Sequence, residues 1–257
     1  MGQGHKTWLS VTVISVTTAV LLLQKYAGPW PGLPGVVQSL AQYGLWMVPP
    51  LAMLLLWHGP GGISPGRELG LAEDAVAGLG RATLAAAPFA LAALLLAASW
   101  WSTALGLAER ALLTAGLEGY LFRGFLFSQL YRRAGWGFIP AVAAGPLLLL
   151  LVNLPDGGGP TRPESWLLPL AVNAFLAWLW LEGGNNLWLS AGFHFWLHWG
   201  DSLLHLVTPP ELAGWIRLME GAALVWAAAL VWGHRRARGG LRLTRQHLLR
   251  NPDPAEG

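Results

Sequence analysis

Residues 82–103 read ATLAAAPFALAALLLAASWWST, a run without one charged side chain. About 20 consecutive apolar residues, rising about 1.5 Å each, cross the roughly 30 Å hydrocarbon core of a bilayer. The stretch is therefore read as a membrane-crossing helix, and the same reading extends along the chain in both directions. Further apolar stretches lie at about 8–23, 35–57, 105–130, 137–154, 167–182, 187–207 and 213–233. Helix-breaking clusters separate them: Gly59-Pro60-Gly61-Gly62, Asp156-Gly157-Gly158-Gly159-Pro160, Gly183-Gly184-Asn185-Asn186 and Pro209-Pro210. The third and fourth stretches have almost no spacer. The predicted fold is all-α, a polytopic transmembrane helix bundle of about eight spans. Residues 1–233 are taken as one transmembrane domain and 234–257 as a basic cytoplasmic tail.

Composition agrees with this. The chain is 54% hydrophobic and 11% charged over 257 residues, against about 25% charged for a soluble domain. Sixteen Trp suit a chain with many membrane–water boundaries. Cysteine is absent, which excludes a disulfide framework and any thiolate-ligated metal. The formal charge of +3 comes from Arg235, Arg236, Arg238, Arg242, Arg245 and Arg250 in the tail. In a polytopic chain such a cluster is a cytoplasmic topology signal lying against anionic lipid, so no nucleic-acid partner is expected. The first apolar stretch follows His5 and Lys6 and lacks a small-residue cleavage site at Gln24-Lys25-Tyr26, so it is read as an uncleaved span. With eight spans, Lys6, Arg67, Arg81, Arg132, Arg133 and the tail arginines fall inside. Lys25, Arg110, Arg162 and Arg217 fall outside. This bias places both termini in the cytoplasm of a multi-pass cell-membrane protein.

Ionisable groups near the middle of a membrane helix cost about 2.5–3.5 kcal/mol each on insertion scales, and they mark interior sites. Glu118 and Arg123 stand in the fourth apolar stretch. At α-helical pitch five residues separate them by about 140°, so they are expected on different faces. A structural reading makes Glu118 a hydrogen-bonding group and lets Arg123 snorkel toward the interface marked by Arg132 and Arg133. In the seventh stretch His194, His198, Asp201 and His205 follow at steps of four, three and four, which align them on one stripe. The i,i+4 pair His194 and His198 lets two imidazoles reach one metal ion or one substrate oxygen. Asp201 and His205 lie near the helix end, where a merely wet terminus explains them. Asn153 closes the fifth stretch beside Leu154-Pro155 and reads equally as a helix stop.

In chain order these residues resemble a known family. Glu118-Gly119-Tyr120-Leu121-Phe122-Arg123-Gly124 is similar to the EExxxRG signature of the CPBP (CAAX protease and bacteriocin-processing, or Abi) intramembrane proteases. That family carries a second motif, FxxxH, one helix later and a third, HxxxN or HxxxD. The approach Asn186-Leu187-Trp188-Leu189-Ser190-Ala191-Gly192-Phe193-His194 resembles that of the third motif, and the likeness covers about residues 110–205. Three positions depart from the pattern. Gly119 replaces the second Glu, removing an expected i,i+4 ion pair with Arg123. Asn153 stands where the second-motif His belongs, and His198 stands where Asn or Asp is usual.

The resemblance implies an intramembrane endopeptidase that hydrolyses a peptide bond of a membrane-associated or hydrophobic substrate. In it Glu118 activates a water, while His194 with Asn153 or His198 positions that water and stabilises the oxyanion; Arg123 belongs to the same motif set. Glu118, His194 and His198 would also form a ligand set for a divalent metal such as zinc. The metal-free chemistry is preferred, because HxxxH is a common pattern and no supporting partner is assignable from sequence. The alternative is a catalytically impaired family member used as a membrane binding, immunity or scaffold protein. A transporter or proton pathway would also need buried charges, but no pair of broken helices occurs in matching halves.

Overall fold

The computed structural model describes residues 3–26, 35–58, 64–96, 100–153, 164–209, 211 and 213–252. The breaker clusters Gly59–Gly62 and Asp156–Pro160, together with Pro210 and Arg162, lie outside the described residues, as do residues 253–257 of the basic tail. The protein is all-α. In chain order the helices are α1 (Gln3–Tyr26), α2 (Gly35–His58), α3 (Pro65–Glu68), α4 (Ala75–Leu96), α5 (Trp101–Glu118), α6 (Phe138–Asn153), α7 (Glu164–Glu182), α8 (Leu187–Val207) and α9 (Ala213–Arg236). Past Glu118, α5 continues as π-helix over Gly119–Phe127 and Gln129–Arg133. Among the described residues, the extended structure recorded is one antiparallel bridge, Trp136 with Arg250.

Among the described residues, three segments are long and apolar enough to cross a membrane: Gln3–Tyr26, Ala75–Leu95 and Gly214–Arg236. Ala41–Trp57, Phe138–Asn153 and Pro169–Glu182 are apolar but shorter. The apolar stretches of the sequence match most of the helices; α5 begins at Trp101, inside the stretch read as the third span, and α4 departs at its start. That helix begins at Ala75, seven residues before the expected start, because Asp74 caps it by accepting from the Ala77 N–H at 2.9 Å.

The described residues form two compact units that alternate along the chain. The first holds residues 1–69, 120–177 and 243–257. Here α1 packs against α2, α6 and the second π segment through the buried stripe Leu9, Val13, Thr17, Val20 and Leu21. Thr17 costs little in that stripe, since its hydroxyl donates to the Val13 carbonyl at 2.9 Å. Phe127 stacks on Tyr131 and meets Phe138 edge-on. The last segment folds back as a strap: the Ile139 N–H bonds to the Leu248 carbonyl at 2.9 Å, and Asn251 donates to the Tyr131 carbonyl at 2.9 Å. Glu68, 1% exposed, receives two bonds from Arg133 and one from Gln129.

The second unit, residues 70–119 and 178–242, carries α4, α5, α8 and α9. Here α8 packs mainly on α4 and α5, and α9 mainly on α4. Small residues permit the close approach. A Cβ on Gly192 would lie 2.9 Å from Ala82 Cβ, and one on Gly200 would lie 2.4 Å from the Phe89 ring. Gly70 has φ +75, and a Cβ there would sit 2.1 Å from the Asn185 carbonyl oxygen. Its own carbonyl accepts from the Leu187 N–H at 3.0 Å, so the backbone of residue 70 supports the first turn of α8.

Two outcomes follow from this packing. Burial raises the Glu68 carboxyl, but the hydrogen bond and charge of Arg133, with Gln129 and Arg132, outweigh burial and hold it below its ordinary pKa. Its stabilisation is therefore complete above the ordinary carboxylate range and is lost as pH falls through the lowered value. Glu68→Ala should cost about 3 kcal/mol, measured by unfolding in detergent, and Glu68→Gln should flatten the acid limb of the stability profile. Gly70→Ala combines a left-handed backbone with a clash against backbone, and should lower the melting temperature far more than Gly66→Ala, where a Cβ meets open space.

Candidate active site

The site is built on α8, and the turn before it sets its start. Gly184 (φ +86) and Asn185 (φ +62) take left-handed conformations, ending α7 before α8 begins. Asn186 then caps α8, its side chain accepting from the Leu189 N–H at 3.1 Å while its amide donates to the Asp74 carbonyl at 3.2 Å. Three indoles fix the helix further. Trp188 donates to the Leu71 carbonyl, Trp196 to the Thr83 hydroxyl and Trp199 to the Ala104 carbonyl, at 3.1, 3.0 and 2.8 Å. The tryptophans expected at membrane boundaries thus also tie α8 to α4 and α5 from within.

That placement brings Glu118, at the end of α5, to His194 and His198. His194 Nε2 lies 3.8 Å from Glu118 Oε2, and the His194 and His198 ring centroids are 4.5 Å apart. One ligand atom from each of the three residues falls within 4.8 Å of the others. His194 is buried at 6% exposure, whereas the Glu118 side chain is 34% exposed. A separation of 3.8 Å exceeds a direct hydrogen bond. It is nevertheless short enough for one oxygen, about 2.8 Å from each group, to touch both.

The same donors suit a metal. Two imidazoles and one carboxylate form a three-ligand catalytic zinc set with a fourth position for water. Bonds of about 2.0–2.1 Å in tetrahedral geometry separate ligand atoms by about 3.3 Å, so a set within 4.8 Å needs contraction within the reach of side-chain rotation. The residues fit a divalent ion.

Arg123 is among the largest fully buried side chains, at 2% exposure, and so is packed inside rather than snorkelling. It sits in the π segment, whose i→i+5 hydrogen bonding replaces the α pitch behind the 140° expectation. Asn153 is the last residue of α6, is exposed, and donates to the Leu149 carbonyl of its own helix at 2.8 Å. Asp201 and His205 pair at 3.2 Å. Asp201 also meets Arg217 of α9 at 3.3 Å, and Arg217 holds Glu220 at 2.7 Å. The sequence reading left Arg217 and Glu220 unremarked as partners of this stripe. Their i,i+3 spacing of opposite charges in an apolar helix was the available signal.

Comparison with known proteins adds one match. Residues 99–200 fit the family model described as type II CAAX prenyl endopeptidase Rce1-like. This segment contains Glu118, Arg123, Asn153, His194 and His198, and it overlaps the 110–205 region that carries the motif likeness. No curated protein and no solved structure matches the chain. The ordered motifs and the matched segment together support membership of the CPBP family of CAAX-type intramembrane proteases.

Proposed function

We propose that this protein is an intramembrane endopeptidase in which Glu118 activates water against a peptide bond of a membrane-associated or hydrophobic substrate. The observation that carries the reading is the 3.8 Å separation of Glu118 and His194, with His198 one helical turn further on. The Glu118 carboxylate takes a proton from a water held between it and His194. The resulting hydroxide oxygen attacks the peptide carbonyl carbon, and an imidazole N–H of His194 or His198 donates to the oxyanion that forms. The tetrahedral species collapses with cleavage of the C–N bond. The proton held by Glu118 passes to the departing nitrogen, and the proton of the new carboxyl group follows it, leaving a carboxylate and an ammonium. A divalent ion bound by Glu118, His194 and His198 would instead supply Lewis-acid activation of the water.

His198 takes the part that the second-motif His plays in the family pattern. Two observations support this. The His198 ring lies beside that of His194, and the Asn153 amide is already engaged by the Leu149 carbonyl. We read the chain as a multi-pass cell-membrane protein with both termini cytoplasmic; the long apolar helices support the membrane, and the arginines at and after the end of α9 support the orientation.

A positioned general base contributes about 10²–10⁴-fold. Glu118→Gln should therefore reduce cleavage of a hydrophobic test peptide by at least about 100-fold without loss of folding. His198→Ala should do the same, whereas Asn153→Ala should stay within a few-fold of wild type. Full activity in His198→Ala with none in Asn153→Ala would overturn the compensation, and wild type that cleaves no peptide would leave the scaffold alternative. Chelator treatment followed by metal analysis decides between the two chemistries. A reporter fused after Gly257 should read as cytoplasmic, and an external reading would refute the topology.

A further inference from the structure

The polar cluster is set by a contact that contains no polar atom. Gly119 follows Glu118 where α-helix gives way to π-helix, and α8 passes it at Ala191. A Cβ built on Gly119 would lie 3.2 Å from Ala191 Cβ, 3.6 Å from Leu187 Cδ1 and 3.8 Å from Ala191 Cα. Carbon atoms rest at about 3.5–4.0 Å, and an alanine methyl has no torsion by which to withdraw. Relief must come from moving a helix. The backbone at Gly119, φ −57 and ψ −50, is open to any residue, so what matters is the missing Cβ and not conformational freedom. Gly116, one turn earlier, meets nothing within 4 Å, so the requirement is particular to position 119.

This closest approach is adjacent to Glu118 and three residues from His194. We propose that Gly119 is a positioning residue: the absence of a side chain there lets α8 come near enough for Glu118 and His194 to share one oxygen. On this view the glycine in the EExxxRG-like segment is a packing solution of this chain and not a lost carboxylate. A Glu restored at 119 would push α8 away and separate the two groups. The kinetic consequence rests on the protease reading above, whereas the close approach itself does not.

The chain has no cysteine, so one introduced pair reports alone. The double variant Gly119→Cys with Ala191→Cys places two Cβ atoms near the disulfide range of about 3.5–4.5 Å. In membranes treated with a mild oxidant it should close an intramolecular disulfide, detected as loss of both free thiols in the monomer. A control pair, Gly116→Cys with Ala191→Cys, should close far less. Equal closure by the control, or none by the test pair, overturns the apposition. With a cleavable peptide, Gly119→Ala should lower kcat about tenfold with little change in KM, since misplacement of about 1 Å costs roughly 100-fold. Ala191→Gly alone should lose less, and Gly119→Ala combined with Ala191→Gly should recover to within about threefold of wild type, because the methyl has only changed sides. Additive losses in the double variant, or a Gly119→Glu variant as active as wild type, overturn the positioning role. Disulfide closure in a wild-type background that cleaves nothing would remove the protease reading and leave the apposition standing.

Discussion

The second unit depends on how closely α8 can lie against α4 and α5. Helices whose contact faces carry leucines and phenylalanines settle about 8–10 Å apart, and small residues allow less. Here Gly192 faces Ala82 and Leu79, Gly200 faces Phe89, and Ala191 faces Gly119. At Gly119 and Gly192 an alanine Cβ limits the approach, and at Gly200 the Phe89 ring does. In a hydrocarbon surround, where lipid offers as much apolar contact as a neighbouring helix, such close packing is a main source of helix association. The polar groups of α8 are held in place by that apolar framework.

The framework explains how Glu118 and two imidazoles occupy an apolar bundle. An isolated carboxylate in a helix interior is costly, and the cost falls when nearby groups donate or carry opposite charge. His194 lies 3.8 Å from Glu118, and the His198 ring lies beside that of His194. Further along the stripe the charges neutralise one another instead. Asp201 is shared by His205 and Arg217, and Arg217 by Glu220. One face of α8 therefore holds two arrangements of different chemistry. In one, Glu118 and His194 lie 3.8 Å apart. In the other, Asp201, His205, Arg217 and Glu220 pair within 3.3 Å and join α8 to α9.

Much of this was legible in the sequence. Apolar length fixed the positions of most helices, and α8 begins and ends at the expected residues because Asn186 caps it and Thr208 leaves the helical conformation. The i,i+4 geometry of His194 and His198 follows from helical pitch alone, so their proximity was readable in advance. The proximity of Glu118 to them was expected from the motif order. The π character of Gly119–Phe127 had no local signal: the segment contains no proline, and its glycines are equally consistent with an α-helix. The internal role of the tryptophans was also hidden. Composition argues for interfacial rings, but Trp199 donates to the Ala104 carbonyl, a pairing that only the packed arrangement of α5 and α8 determines. The mutual fit of Gly119 and Ala191 was invisible for the same reason. Neither residue carries chemistry, and a missing Cβ acquires meaning only from what stands opposite it.

One further tie connects chemistry to fold. Glu182 ends α7 with its side chain at 0% exposure, accepting from Arg235 Nε at 2.8 Å and from the Arg242 N–H at 3.1 Å. A buried carboxylate answered by a guanidinium and a backbone donor gains specificity of placement more than net stability, since desolvation offsets much of the attraction. That specificity falls at a consequential point. Glu182 stands immediately before the Gly183–Asn186 turn, and Arg235 lies in the last turn of α9. The pair thus fixes one end of the turn, while the contacts of Asn186 with Asp74 and of Leu187 with Gly70 fix the other. Between these anchors the left-handed conformations of Gly184 and Asn185 leave the chain one course into α8. The rotation of α8 about its axis is then set before its first turn is complete, and with it the direction in which His194 and His198 face. The basic residues at and after the end of α9 therefore have a structural duty besides their charge: Arg235 and the Arg242 backbone hold the residue before the turn into the helix that carries the histidines.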